Sequence, residues 1–215
     1  MDLKNLVGQA ATVCTIAVFL SGTEICRKIY AKKSTNDISA LPIVCGLVSC
    51  SLWLRYGILI SDSALMIVNA TGVTLQSLYT LWYARFASNK GIFYRQVFFA
   101  VFVIGLLYYL TTYTVLQENA RSISGIAACS AGVLFMGSPL AAVAHILRTK
   151  NTDSLPLAMI VTTFVMATLW FYYGILTDDK FVQIPNFLGA LLALSQLCLF
   201  AIFPKKKPYY ELPTV

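Results

Sequence analysis

The sequence predicts an all-α integral membrane protein: seven transmembrane helices, in two parallel triple-helix bundles joined by an inversion linker helix. Three observations support this prediction. The 215 residues are 58% hydrophobic and only 12% charged, about half the charged fraction of a soluble chain. The apolar residues fall into seven runs, each long enough to cross a bilayer. The pattern of the first three runs returns in the last three.

The seven apolar runs are separated by short polar segments. A spanning helix needs about 20 residues, so seven spans use nearly the whole chain and leave no room for a soluble catalytic domain. We therefore expect no enzyme. The first run continues from Lys4 to about Cys26 without a small-residue cleavage site, which indicates a retained span rather than a signal peptide. The runs cover residues 5–27, 41–60, 64–84, 95–115, 123–146, 155–176 and 181–203.

Neither the charge nor the cysteines indicate nucleic acid, a metal or a cofactor. The net charge is +7, but the basic residues lie at helix ends rather than along one exposed face, so no nucleic-acid partner is expected. No cysteine pair has a metal-type spacing, and we interpret the cysteines as small apolar side chains. All six lie in apolar segments: Cys14, Cys26, Cys45, Cys50, Cys129 and Cys198.

The basic residues of the connecting segments predict the orientation. Twelve fall on one side of the membrane: Arg27, Lys28, Lys32, Lys33, Arg85, Lys90, Arg95, Arg148, Lys150, Lys205, Lys206 and Lys207. Three fall on the other: Lys4, Arg121 and Lys180. This bias places the N-terminus outside or in a lumen and the C-terminus in the cytosol.

A three-span unit occurs twice. Trp53 and Trp170 each begin a W-x-x-Y-G-I-L motif, and each is followed sixteen residues later by an Asn-x-x-Gly motif, at Asn69 and Asn186. The two matching loops that lead to Leu-Pro are both basic and so lie on the same side. The fourth span must then invert the second unit and make the repeats parallel. The predicted domains are 1–87, a linker over 88–120, 121–203, and a cytosolic tail over 204–215.

The repeated Trp and Asn residues form the candidate binding site. Helix geometry places them at nearly equal depths on either side of a central axis: Trp53, Asn69, Trp170 and Asn186. An Asn amide both donates to and accepts from hydroxyl groups, and an indole face packs against the C–H face of a sugar ring. Taken singly, the residues would be interfacial Trp and interhelical Asn; the duplicated spacing favours the site.

Tyr56 and Tyr173 lie three residues after the Trp positions, on the same helix face and nearer the outside. Asp179 lies in the outer connection between the last two spans. A Tyr–Asp hydrogen bond across the axis would close an outer gate. A solvated loop carboxylate is the alternative.

Prolines near the cytosolic ends predict hinges. Proline removes a helix hydrogen bond and permits a kink, and the candidates are Pro42, Pro139 and Pro156. Pro42 and Pro156 are equally compatible with helix starts. Gly22 stands where the second repeat has Pro139, and glycine can also flex a helix. No acidic residue remains at mid-membrane to couple protons, which favours facilitated diffusion.

With these motifs the chain resembles the SWEET sugar transporters over essentially its whole length, to about Phe203. The specific elements are the duplicated W-x-x-Y-G, the paired Asn, the Ser138-Pro139-Leu140 turn and the polar loops ending in Leu-Pro. The resemblance implies two parallel triple-helix bundles and bidirectional uniport of mono- or disaccharides. By motif match, the sugar-contacting positions are Trp53, Asn69, Trp170 and Asn186. The gate pair is Tyr56 and Asp179, and the proline set is Pro42, Pro139 and Pro156, with Gly22 replacing the fourth.

The expected partners are a small sugar and the lipid bilayer. Two Trp at the site narrow the cavity, so we expect a monosaccharide, glucose rather than sucrose. A receptor or scaffold of the PQ-loop type and a proton-coupled carrier are the alternatives. The sequence is compatible with a plasma, Golgi or endosomal membrane, and Tyr209 begins a match to a Y-x-x-Φ sorting signal. It is also compatible with a homo-oligomer.

Overall fold

The computed structural model describes residues 2–134, 136–152 and 155–203, and all regular structure in those ranges is helical. Seven helical spans are long and apolar enough to cross a membrane, which confirms the predicted fold class. They are α1 (Leu3–Leu20) with α2 (Gly22–Lys32), α3 (Leu41–Ile60), α4 (Ser63–Phe86), α5 (Lys90–Tyr109) with a π-helical turn (Leu110–Thr114), α6 (Gln117–Leu134) with α7 (Gly137–Thr149), α8 (Leu157–Leu176) and α9 (Lys180–Ile202). The tail, with the predicted signal at Tyr209, lies outside the described residues.

The spans pack as two triple-helix units. Helix α4 contacts α1, α2 and α3, and helix α9 contacts α6, α7 and α8. Helix α1 crosses to α8 and α3 crosses to α6, so the units meet through two equivalent interfaces. The linker α5 packs against α3 and turns aromatic side chains such as Phe98 and Tyr113 outward, as expected where lipid is the solvent.

The repeat extends to backbone geometry. In the part of the chain that the structure describes, four non-glycine residues have positive φ, and they form two pairs that each lie 117 positions apart. Lys33 (50°) and Lys150 (53°) end α2 and α7. Ser61 (56°) and Asp178 (51°) lie in the connections α3–α4 and α8–α9. Left-handed residues of this kind end helices and bring the next element alongside, so both units use the same turns.

The first and fifth spans are broken, whereas the sequence predicted the continuous runs 5–27 and 123–146. The first break is at Ser21, and the second lies between α6 and α7. Of the four predicted hinge positions, Gly22 begins α2 and Pro139 is the third residue of α7. Pro42 and Pro156 lie instead at the starts of α3 and α8, where a proline costs no internal hydrogen bond.

Candidate solute-binding site

A cavity of about 1010 Å³ lies between the two units, and the four predicted site residues line it: Trp53, Asn69, Trp170 and Asn186. The cavity reaches the end of the molecule that carries Pro42, Pro139 and Pro156, which we call the proline end. There the cavity-lining residues Leu41 and Met159 are 51% and 68% exposed. The cavity is therefore open at the proline end.

The two Asn side chains have the same hydrogen bonding. The Nδ2 of Asn69 donates to the Leu65 carbonyl at 2.9 Å, and that of Asn186 donates to the Val182 carbonyl at 2.8 Å. A backbone carbonyl only accepts, so these bonds fix which side of each amide is the NH₂. Each Oδ1 has no hydrogen-bond partner among the described residues. Both amides can accept a hydrogen bond from a hydroxylated solute.

The two Trp side chains differ. Trp170 is buried, and its Nε1 donates to the Thr15 hydroxyl at 2.9 Å, which in turn donates to the Ala11 carbonyl at 2.7 Å. Trp53 is half-buried, and its Nε1 has no partner in the described part of the chain. The position equivalent to Thr15 in the second repeat is Gly132, which has no side chain to accept this bond. The site is thus asymmetric in its available donors.

Two tyrosines and two aspartates meet at the opposite end, which we call the Tyr–Asp end. The Tyr56 hydroxyl donates to Asp179 Oδ2 at 2.8 Å, as the sequence predicted for this pair. The Tyr173 hydroxyl donates to Asp62 Oδ2 at 2.6 Å. Each bond joins one repeat to the other. Hydrogen bonds of O–H to carboxylate are short and roughly twice as strong as neutral ones.

The same carboxylates begin the third helix of each repeat. Asp62 Oδ1 accepts from the Leu65 amide at 2.9 Å at the start of α4. Asp179 Oδ1 accepts from the Phe181 amide at 2.9 Å at the start of α9. A side chain that caps a helix is held in a fixed geometry, so each aspartate presents its second oxygen to the tyrosine across the axis.

Aromatic packing seals this end. Tyr56 and Tyr173 are only 4% and 3% exposed. Tyr56 lies edge-on to Phe181 at 5.6 Å and to Trp53 at 5.9 Å, and Tyr173 lies edge-on to Trp170 at 5.5 Å between ring centroids. The cavity is therefore closed at the Tyr–Asp end, directly beyond the two indoles.

Asp62 was not among the predicted site residues, although its position in the repeat indicates it. Asp62 follows Trp53 by nine residues, as Asp179 follows Trp170. Thr15 gave no signal, because its partner Trp170 is 155 positions away. Arg55 also has partners distant in sequence, since it bonds to the π-helical turn through Thr111 and Thr112.

The cavity lining is mostly apolar, with some polar side chains and no charged ones. Among the described residues that line it there is no Asp, Glu, Lys, Arg or His. Nor do the described ranges contain a group of three His, Cys, Asp or Glu side chains placed to hold a metal ion. The polar lining consists of hydroxyls, amides and thiols: Thr15, Cys45, Ser49, Cys50, Asn69, Thr163, Asn186 and Gln196. This chemistry suits a neutral, hydroxylated solute.

Comparison with known proteins gives a consistent family. A family model described as "Sugar efflux transporter for intercellular exchange" matches residues 5–91 and 122–208, one match for each repeat. The chain is 44% identical over 204 residues to a sugar transporter SWEET1 of Drosophila pseudoobscura pseudoobscura, covering 94% of this chain and 90% of the relative. It is 34% identical to a SWEET1 of Xenopus laevis, covering 99% of both.

More distant relatives and a solved structure agree. A bidirectional sugar transporter SWEET7b of Oryza sativa subsp. japonica is 30% identical over 228 residues, with 99% of this chain and 84% of the relative covered. The structure of a eukaryotic SWEET transporter superposes with a TM-score of 0.86 at 25% identity, covering 93% of this chain and 96% of that one. These relatives are transporters rather than enzymes. The chain is a multi-pass membrane protein that belongs to the SWEET family of sugar transporters.

Proposed function

We propose that this protein carries a monosaccharide such as glucose by bidirectional facilitated diffusion, as a uniporter that exposes one site alternately to the two sides of the membrane. The observation that best supports this is the position of the duplicated Trp and Asn side chains. They lie between an end sealed by two Tyr–Asp bonds and an end open through the cavity. An uncharged lining favours a neutral solute that is not coupled to protons.

The proposed roles follow from this geometry. Trp53, Asn69, Trp170 and Asn186 contact the sugar, and the two indoles at the closed end of the cavity favour one ring over two. Tyr56, Tyr173 and Asp179, now with Asp62, form the gate. Opening the gate breaks two bonds to carboxylates, so closure of the proline end has to offset that loss.

The hinge proposal narrows to two of the four positions. Gly22 and Pro139 adjoin the breaks in the first and fifth spans, where the helix is already interrupted. Pro42 and Pro156 begin helices and would set the shape of the proline end instead. The proposed domains are residues 1–87 and 121–203, joined by a linker over 88–120.

The proposed orientation places the N-terminus outside or in a lumen and the C-terminal tail in the cytosol, as the loop charges predict. The Tyr–Asp end then faces outward, and the cavity faces the cytosol. Plasma, Golgi and endosomal membranes each fit this arrangement.

Purified protein in proteoliposomes tests the transport proposal. We expect labelled glucose to equilibrate faster than in empty vesicles, with sucrose much slower and no effect of a pH gradient. Asn69→Ala should reduce the initial rate at least about tenfold, since it removes an amide oxygen that can bond the sugar, while the amide's one protein bond is to its own helix. Asn36→Ala, at an exposed loop position, is the matched control and should transport normally.

The other outcomes separate the alternatives. Absence of flux for every sugar tested would leave a receptor or scaffold of the PQ-loop type. Accumulation of sugar driven by a pH gradient would indicate a proton-coupled carrier.

A further inference from the structure

At the break in the first span, side-chain hydroxyls bond to backbone carbonyls, and glycine stands where the second repeat has a proline. Ser21 Oγ donates to the Val18 carbonyl at 2.6 Å, and Thr23 Oγ1 donates to the Leu20 carbonyl at 2.7 Å. Hydroxyls that bond to the preceding turn compete with the helix ladder and bend helices. The break between α1 and α2 therefore has a local cause in the sequence Ser21-Gly22-Thr23; we call this break, and the one between α6 and α7, the bend of its repeat.

A third hydroxyl reaches the same turn from another helix. Tyr79 of α4 donates to the Phe19 carbonyl at 3.0 Å. Its ring lies where a side chain on Gly22 would be, since a Cβ built there would overlap the ring carbons. The missing side chain of Gly22 thus lets the Tyr79 hydroxyl reach the backbone at the bend.

The second repeat has a comparable contact made with different chemistry. Gln196 of α9 donates through Nε2 to the Pro139 carbonyl at 3.2 Å, just after the break between α6 and α7. Tyr79 and Gln196 are equivalent positions, each ten residues after the Asn of its repeat. Both are buried, at 6% exposure. The third helix of each repeat therefore bonds to the backbone at the bend of the first.

The bend separates two halves of the span that pack differently. Helix α1 packs against α8 of the other repeat as well as against α4 of its own, and its Ala11 belongs to the buried cluster around Tyr56 and Tyr173. Helix α2 packs against α4 of its own repeat, and its Ile29 is buried beside Tyr79. Opening one end of the cavity while closing the other requires the angle between these halves to change. The hydrogen bond from Tyr79 to the Phe19 carbonyl lies at the junction between these two halves.

We propose that Tyr79 and Gln196 are positioning residues of the transport cycle: each holds the bent first helix of its repeat in the state that is open at the proline end. The inference rests on the proposed alternating-access transport, to which it adds the contacts that favour one state. Loss of either bond raises the free energy of this state relative to the state open at the Tyr–Asp end. The effect falls on the balance between states rather than on the sugar contacts.

Distances across the proline end test the proposal. After the six native cysteines are replaced by alanine, Leu41 on α3 and Met159 on α8 are replaced by cysteine and spin-labelled. The two labels then report the distance across the mouth of the cavity. Double electron–electron resonance then gives the ratio of the open to the closed proline end. Tyr79→Phe keeps the ring over Gly22 and removes only the hydroxyl. We expect it to lower the open-to-closed ratio about fivefold, the shift that one ordinary hydrogen bond produces, and Gln196→Leu to act in the same direction.

Tyr83 supplies a matched control. It lies one turn further along α4, is also buried, and its hydroxyl donates to the Ile38 carbonyl at 2.7 Å, away from the bend. Tyr83→Phe loses the same kind of bond and should leave the ratio unchanged, with a similar loss of melting temperature. Equal ratios in the Tyr79→Phe and Tyr83→Phe proteins would overturn the proposal.

The measurement separates this inference from the transport proposal. The distance ratio requires no sugar flux, whereas wild-type uptake in proteoliposomes tests transport alone. In uptake, Tyr79→Phe should change the maximal rate and not the relative preference for glucose over other hexoses. A changed preference would place Tyr79 among the sugar contacts and contradict the positioning role.

Discussion

At the site, some hydrogen-bonding groups of the Asn and Trp side chains bond to the protein, and others are available to a solute. Asn69 and Asn186 each use one N–H on their own helix and keep the Oδ1 available. The indole N–H of Trp170 donates to Thr15, whereas the indole N–H of Trp53 has no partner among the described residues. A sugar bound between them would meet two acceptors from the amides and one indole donor, and that donor lies only on the side of the first repeat.

This asymmetry predicts unequal effects of two equivalent substitutions. Trp53→Phe removes an N–H that can bond the sugar, and we expect KM for glucose to rise about fivefold with little change in melting temperature. Trp170→Phe removes an N–H that bonds only Thr15 and should lower the melting temperature more than it raises KM. Initial-rate uptake and a thermal-shift assay measure the two quantities.

Thr15→Val supplies the control for the buried indole. It keeps the side-chain shape but leaves the Trp170 N–H unpaired, which costs about 1–3 kcal/mol for a buried donor. The melting temperature should fall by several degrees. Equal changes of KM in the two Trp variants, with Thr15→Val neutral, would show that both indoles face the sugar alike.

At the scale of helices, the sequence predicted positions along the chain better than contacts between elements. The spacing from Trp53 to Asn69 repeats from Trp170 to Asn186, and both sets line one cavity. Hydropathy could not reveal the break at Ser21, because side-chain hydroxyls cause it within an uninterrupted apolar run. Nor could it reveal the Tyr79 bond, which joins residues 60 positions apart.

Arg55 of α3 forms hydrogen bonds that connect the first repeat to the linker span. Its guanidinium donates to the Thr111 hydroxyl and carbonyl, each at 2.9 Å, and to the Thr112 hydroxyl at 3.0 Å, with the Tyr108 ring 5.3 Å away. A π-helical turn is wider than an α-helical one and leaves carbonyls open to side chains. These bonds hold the linker span against α3.

Replacement of Arg55 tests this attachment. Arg55→Met keeps the apolar stem and removes three charge-assisted bonds, so we expect a melting temperature lower by about 5 °C or more. Arg95→Met is the matched control: Arg95 lies on the linker helix α5, is exposed, and has no bonding partner among the described residues. A thermal-shift assay in which both variants melt alike would contradict the attachment.

For the whole molecule, two pairs of helices and several hydrogen bonds join the repeats. Helix α1 packs on α8, where Trp170 donates to Thr15, and α3 packs on α6, where Arg121 donates to the Leu59 carbonyl. The bonds from Tyr56 to Asp179 and from Tyr173 to Asp62 are polar contacts between repeats at the Tyr–Asp end. They are made only while this end is closed, so they favour the open proline end.

The tyrosine hydroxyls therefore predict the balance between the two states. Tyr56→Phe and Tyr173→Phe should each lower the open-to-closed ratio of the proline end about tenfold, and the double variant should lower it further. The direction follows from the lost bond, which stabilises only the state closed at the Tyr–Asp end. The spin-label pair across the proline end measures the ratio. Tyr108→Phe loses a bond between the linker helix α5 and α3 and should not shift the ratio. An unshifted ratio in the double variant would mean that aromatic packing alone closes this end.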